Sequence, residues 1–179
     1  MIFEELKQDT VYQGRAFGVQ VVRLRLPDGR VRDYDLVRHV PSVTIVPLDE
    51  KGRLLFVRQF RLGAGEELLE LPAGVMEAGE EPLACAAREV REETGFSAGA
   101  LELLGDFYLA PGYSDEHMYV YLATELTADP LEQDDDEFLE LKTIPAADVL
   151  KMAQEGRIHD SKTLASLLLA LPRLNQLHP

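Results

Sequence analysis

The sequence predicts one soluble domain of the mixed α/β (α+β) class. Three observations carry this. The first half consists of short apolar or alternating runs broken by turn residues. A helix is delimited at both ends between Pro82 and Gly95, and two apolar-periodic helical stretches close the chain.

In chain order, residues 17–26 alternate through Val19, Val21, Leu24 and Leu26. Pro27-Asp28-Gly29 supplies turn chemistry, and an extended pattern resumes over 31–37, which predicts an N-terminal antiparallel β-hairpin. The runs 42–48 and 53–60 are strongly apolar and flank the polar turn 49–52, which predicts a second hairpin reaching the core. Pro82 suits a first helical turn, residues 83–94 are good helix formers, and Gly95 suits a left-handed stop. Strand-like runs follow at 101–109 and 118–123, then an acidic stretch at 132–137 and helices near 146–154 and 161–171.

Composition narrows the function classes. The chain has 179 residues, 46% hydrophobic and 28% charged, which suits one core, and no segment reaches the ~20 apolar residues that cross a bilayer. A net charge of −14 leaves no basic footprint for nucleic acid and repels an anionic membrane. The first ten residues lack the pattern of a secretory signal and the single Cys85 excludes an internal disulfide framework, so a cytoplasmic location is expected. His39, His117, His159 and His178 are scattered without ligand spacing, and Cys85, among alanines on a helix, reads as packed rather than nucleophilic.

The chemistry is concentrated in the helix. At 100° per residue Leu83, Ala87, Val90 and Thr94 share a face expected to meet the core, while Glu89 and Glu93, four apart, stack on its flank. Like charges at that spacing destabilise a helix unless a cation or an arginine sits between them. Hard oxygen ligands of this kind suit Mg²⁺ or Mn²⁺, and Mg²⁺ binds through a few carboxylates plus substrate phosphates. Arg88 and Glu92, also four apart, can pair and hold a second carboxylate row.

Gly74, Glu80, Arg88, Glu89, Val90, Glu92, Glu93 and Gly95 fall in the spacing GX5EX7REUXEEXGU, and the segment resembles the Nudix box; Phe96 is the one loose position. Seven fixed identities arise by chance on the order of once in a hundred thousand sequences, so the match is specific. The resemblance implies an α/β/α sandwich around a mixed β-sheet, and water attack on one phosphorus of a diphosphate with cations neutralising charge. It implies Glu89 and Glu93 as metal ligands, with Glu92 as a further ligand or catalytic group, Mg²⁺ as cofactor and Mn²⁺ as a substitute.

Outside the box the chain resembles the ADP-ribose pyrophosphatase-like subfamily. Pro111, fifteen residues beyond Phe96, lies in Ala110-Pro111-Gly112-Tyr113-Ser114-Asp115-Glu116, where Pro111, Gly112 and Glu116 would meet substrate; many relatives carry Ser where Ala110 stands. Glu70-Leu71-Pro72-Ala73-Gly74 resembles the lead-in whose carbonyl at Ala73 ligates a metal. Arg58-Gln59-Phe60-Arg61 resembles a segment whose guanidiniums bind phosphate or carboxylate, and Arg15 matches a contact to the adenosine half. The acidic run resembles a loop supplying a base and a metal contact, which implies Asp135 and Glu137, with Asp135 replacing the expected Glu.

The resemblance thus implies a Mg²⁺-dependent enzyme that cuts ADP-ribose to AMP and ribose 5-phosphate. Its partner would be a small nucleoside diphosphate sugar. Residues 1–40 would form a β segment for homodimerisation and 41–175 the Nudix domain. A diphosphatase for another nucleoside diphosphate sugar, such as GDP-mannose, and a non-catalytic ADP-ribose sensor are the alternatives.

Overall fold

A computed structural model describes residues 2–131 and 138–177. The chain divides into two units, Met1–Pro41 with Phe107–His117, and Ser42–Asp106 with Met118–Pro179. No helix among the described residues is long and apolar enough to cross a membrane.

The first unit is an antiparallel meander of β1 (Glu4–Gln13), β2 (Phe17–Arg25) and β3 (Val31–His39). The expected hairpin is β2–β3, in register from Phe17↔His39 to Arg25↔Val31. Its turn closes by the Leu26 amide donating to the Arg30 carbonyl at 2.8 Å, with Gly29 at φ 87°. β1 was not legible: all ten of its residues are exposed, so burial leaves no alternation in Glu4, Lys7 and Asp9. Within this unit the 107–117 segment is tied to β3, where the Val37 amide donates to the Tyr113 carbonyl at 2.8 Å. Arg38 meets Asp115 at 2.7 Å.

The second unit contains β4 (Ser42–Pro47), β5 (Arg53–Arg61), β6 (Glu66–Glu70), β7 (Ala73–Val75), α1 (Pro82–Thr94), β8 (Phe96–Tyr108), β9 (His117–Ala128), β10 (Glu140–Pro145), α2 (Ala146–Gln154) and α3 (Ser161–Leu174). A four-stranded sheet runs β7-β4-β9-β8 and a three-stranded one β10-β5-β6. The first is mixed, since β4 pairs parallel with β9 and antiparallel with β7.

The expected hairpin of 42–48 with 53–60 does not form. Its turn does, with the Asp49 carboxylate accepting from the Lys51 and Arg53 amides at 2.9 and 2.8 Å. The strands it joins enter different sheets, linked by the single bridge Leu48↔Leu54. The reason lies in β4, which is buried at every position. Its two edges are taken by β7 and β9, so neither is left for β5.

α1 has the expected ends. Pro82 opens it, and Gly95 closes it at φ 77° with its amide donating to the Arg91 carbonyl at 3.0 Å. Of the four residues expected on its core face, Val90 and Thr94 are buried, Ala87 is half-buried and Leu83 is exposed. Cys85, Ala86 and Val90 pack with Val43, Ile45, Tyr121 and Ala123, while Leu83 is 51% exposed. The buried stripe continues through Glu89 and Glu93, so apolar periodicity alone finds only part of it. Val43 and Ile45 face α1, and the pleat leaves the opposite face of β4 to α3, which also packs on this strand.

Candidate active site

Glu89 and Glu93 are 8% and 4% exposed, and burial of two carboxylates is unfavourable unless each is satisfied. Two neighbours do this. The Ala73 amide of β7 donates to Glu93 Oε2 at 3.1 Å, and Arg88 Nη1 donates to Glu89 Oε1 at 2.6 Å. Gly74 contributes space: a Cβ built there would sit 1.9 Å from both Cδ and Oε1 of Glu89. The atoms displaced are the far end of a flexible side chain, so Gly74→Ala is expected to move the carboxylate rather than the backbone. Turnover should fall about a hundredfold, the consequence of a misplaced catalytic group, with little change in melting temperature. Steady-state kinetics beside a thermal melt check both halves of that outcome.

Arg88 organises the acidic row. Its Nε and Nη2 donate to the two oxygens of Glu80, each at 3.0 Å, and Nη1 also reaches Glu92 Oε2 at 2.8 Å, the expected pair. The hydrogen bonds from Arg88 bring the Glu80 carboxyl down to about 2 against the opposing effect of burial. The same bonds, Glu80 first, hold the guanidinium in its charged form more firmly than usual. Since the Glu80 value is depressed on folding, its contribution to stability is present above the ordinary value near 4.5 and fades as pH falls toward 2. Glu80→Gln is therefore expected to be less stable than wild type at pH 7, and the two denaturation midpoints should converge between pH 4.5 and 2. Cys85 is fully buried, and burial first, then the Glu89 charge, pushes its thiol up to about 12. It is a packed thiol at neutral pH.

A cavity of about 440 Å³ opens beside this row, walled by α1, β7 and β5. Arg61, Ala73, Glu89, Glu92 and Glu93 all line it. Gln59 and Arg61 face it from β5; Arg58 is not on its wall, and pairs in register with Glu140 of β10. In the first unit, Arg15 lines a groove with Arg38, His39 and Asp115. Pro111 and Gly112 are exposed in the loop before β9, and Glu116 lies 3.9 Å from His39 Nδ1. Asp135 and Glu137 lie outside the described residues. Sequence reasoning missed Gln59 and Glu77 on the wall, and it missed Glu70 and Lys162 behind Arg61. β6 reads Glu66-Glu67-Leu68-Leu69-Glu70, and nothing in that run marks Glu70 as the buried glutamate.

Among the described residues, no three acidic, histidine or cysteine side chains form a ready-made cation cage. The donor set still fits a hard divalent cation. Two buried carboxylates share one helix flank, a third lies one turn away, and the cavity leaves room for waters and phosphate oxygens.

The NUDIX domain model matches residues 38–167. The chain is 34% identical over 160 residues to the ADP-ribose pyrophosphatase of Bacillus subtilis, covering 88% of this chain and 86% of that one. It is 36% identical over 169 residues to the ADP-ribose pyrophosphatase of Mycobacterium tuberculosis, covering 93% and 82%. A solved structure described as an ADP compounds hydrolase superposes with a TM-score of 0.89 at 27% identity, over 99% of this chain and 97% of that one.

Proposed function

The chain belongs to the Nudix family, and from that premise we propose that it hydrolyses the diphosphate bond of ADP-ribose, giving AMP and ribose 5-phosphate with Mg²⁺ as cofactor. The observation that carries the reaction type is the buried pair Glu89 and Glu93, four apart on α1, set against Gly74 at a cavity that also holds Arg61 and Arg88. The named activities of relatives aligned over most of the chain support the substrate.

Glu89 and Glu93 would hold the cation, with Glu92 and the Ala73 carbonyl at its margin, and Mn²⁺ would serve in its place. When bound, the cation supplies charge neutralisation at the diphosphate oxygens. The rest falls to the chain. Arg88 fixes the carboxylate row through its hydrogen bonds, the Ala73 amide orients Glu93, and Arg61 presents positive charge to the phosphates. The family resemblance is the support for Asp135 as base and Glu137 as metal contact, and for Arg15, Arg58, Pro111, Gly112 and Glu116 as substrate contacts.

Residues 1–40 are proposed to mediate a homodimer of a cytoplasmic enzyme. β1 is exposed along its whole length, carries the outer edge of its sheet, and shows Val11 and Tyr12 at 61% and 54% exposure. An open edge with apolar side chains is a pairing surface. Sedimentation of the full chain should return twice the monomer mass.

A kcat/KM panel over ADP-ribose, GDP-mannose, NADH, diadenosine polyphosphates and nucleoside triphosphates tests the substrate. ADP-ribose is expected to lead by at least about tenfold, the worth of one or two added hydrogen bonds. Dominance of triphosphates would remove the ADP-ribose reading, and binding of ADP-ribose without cleavage would favour a sensor.

A further inference from the structure

Arg61 is held at the cavity from behind. Its Nε and Nη2 donate to Oε1 and Oε2 of Glu70 at 2.8 and 2.6 Å, a fork-to-fork pair that fixes the plane of the guanidinium. Among the described residues no hydrogen bond engages Nη1. The Glu70 side chain is 1% exposed and that of Arg61 41%, so the carboxylate is a buried anchor and the guanidinium a half-open tip.

The anchor has an anchor of its own. Lys162, on the first turn of α3 and 7% exposed, donates from Nζ to Glu70 Oε2 and to Asp160 Oδ2. Asp160 caps α3 by accepting from the Thr163 amide at 2.9 Å, and the Thr163 hydroxyl accepts from the Leu71 amide at 2.9 Å. The end of β6 and the start of α3 are thereby locked together, although Glu70 and Lys162 stand 92 residues apart.

Such a cluster is a poor device for stability alone. Buried ion pairs are often matched or bettered by apolar residues of similar volume, because desolvation offsets their attraction. What apolar packing cannot supply is a direction for Arg61. Lys162 holds the Glu70 carboxylate in turn, and with Asp160 balancing Lys162 the four charges sum to zero, so what the cluster supplies is direction rather than net charge.

We propose that Glu70 and Lys162 are positioning residues for this reaction, holding the Arg61 guanidinium in a fixed direction toward the diphosphate. The inference rests on the reading of the cavity as a diphosphate site, and it adds two residues that neither touch substrate nor lie in the motif.

The test is a cycle in the full-length protein with ADP-ribose and Mg²⁺. Glu70→Gln with Lys162→Met removes both buried charges together and leaves Asp160 held by the Thr163 amide and hydroxyl. This double variant is expected to raise KM about tenfold, the loss of one well-aligned charged hydrogen bond, with kcat changed less than about threefold. Arg61→Gln alone should raise KM at least as much. Combined, the three substitutions should be no worse than Arg61→Gln, because the pair acts through that guanidinium. Glu70→Asp, which keeps every charge and shortens the anchor by one methylene, should raise KM in the same direction without loss of the fold.

Multiplicative effects in the triple variant, or an unchanged KM in Glu70→Asp, would overturn the inference and leave the assigned activity intact. An unchanged KM in Arg61→Gln with ADP-ribose still cleaved does the same. A wild-type protein that cleaves no ADP-ribose overturns both.

Discussion

Glu93→Gln is expected to lower kcat on ADP-ribose by about three orders of magnitude, roughly 4 kcal/mol of transition-state stabilisation, as befits removal of a ligand to the catalytic cation. The fold should survive. The amide of glutamine occupies the same volume and still offers an oxygen to the Ala73 amide, so the tie between α1 and β7 remains. Without divalent cations the variant should melt at or above the wild-type temperature, because a carboxylate that is 4% exposed no longer has to be desolvated. Added Mg²⁺ should raise the wild-type melting temperature more than that of the variant, since a ligand stabilises only the form that binds it. Kinetics and melts with EDTA or Mg²⁺ read all three outcomes. Undiminished turnover would remove Glu93 from the site.

Arg88→Met is expected to have the largest effect on stability. One guanidinium serves Glu80, Glu89 and Glu92, and its loss takes the neutralising cation from three carboxylates, one of them buried. Breaking a buried pair from one side typically destabilises by 3–5 kcal/mol; with the Arg88 side chain 25% exposed, about 3 kcal/mol is the fitting expectation. Mg²⁺ should recover part of that loss, as a cation takes over some of the neutralisation. Adding Glu89→Gln to Arg88→Met should recover part of it without any cation. Urea midpoints of the two variants, with and without Mg²⁺, decide this. Equal destabilisation in every condition would show that Arg88 packs rather than neutralises.

These two expectations come from the stretch of chain that was most legible in the sequence. Pro82 and Gly95 set the ends of α1 through local backbone chemistry, and the four-residue spacing of Glu89 and Glu93 places them on one flank wherever the helix packs. What the helix packs against is not local. Leu83 carries the apolar pattern yet stands exposed, because two of the positions α1 buries are glutamates. The turn at Asp49 has hairpin chemistry, but the sheet membership of β4 and β5 depends on β7, β9 and β10, far along the chain. β1 is invisible to patterning because burial never selects its side chains. The Glu70–Lys162 contact spans the greater part of the second unit and joins two ordinary-looking charges.

The site was legible to the same extent and for the same reason. Its helical carboxylates follow from spacing. The room that Gly74 makes for Glu89, and the Ala73 amide that holds Glu93, follow from how β7 passes the helix. Arg61 and Arg58 look equivalent in sequence, and only the pleat of β5 puts one on the cavity wall and the other opposite β10.

The central claim is that this chain cleaves the diphosphate of ADP-ribose with a divalent cation held on α1. Incubating the full-length protein with ADP-ribose and Mg²⁺ and quantifying products by chromatography tests it most directly. The expected result is AMP and ribose 5-phosphate in equal amounts, arrested by EDTA and restored by Mg²⁺. Intact ADP-ribose after prolonged incubation, or cleavage that EDTA leaves unchanged, would contradict it.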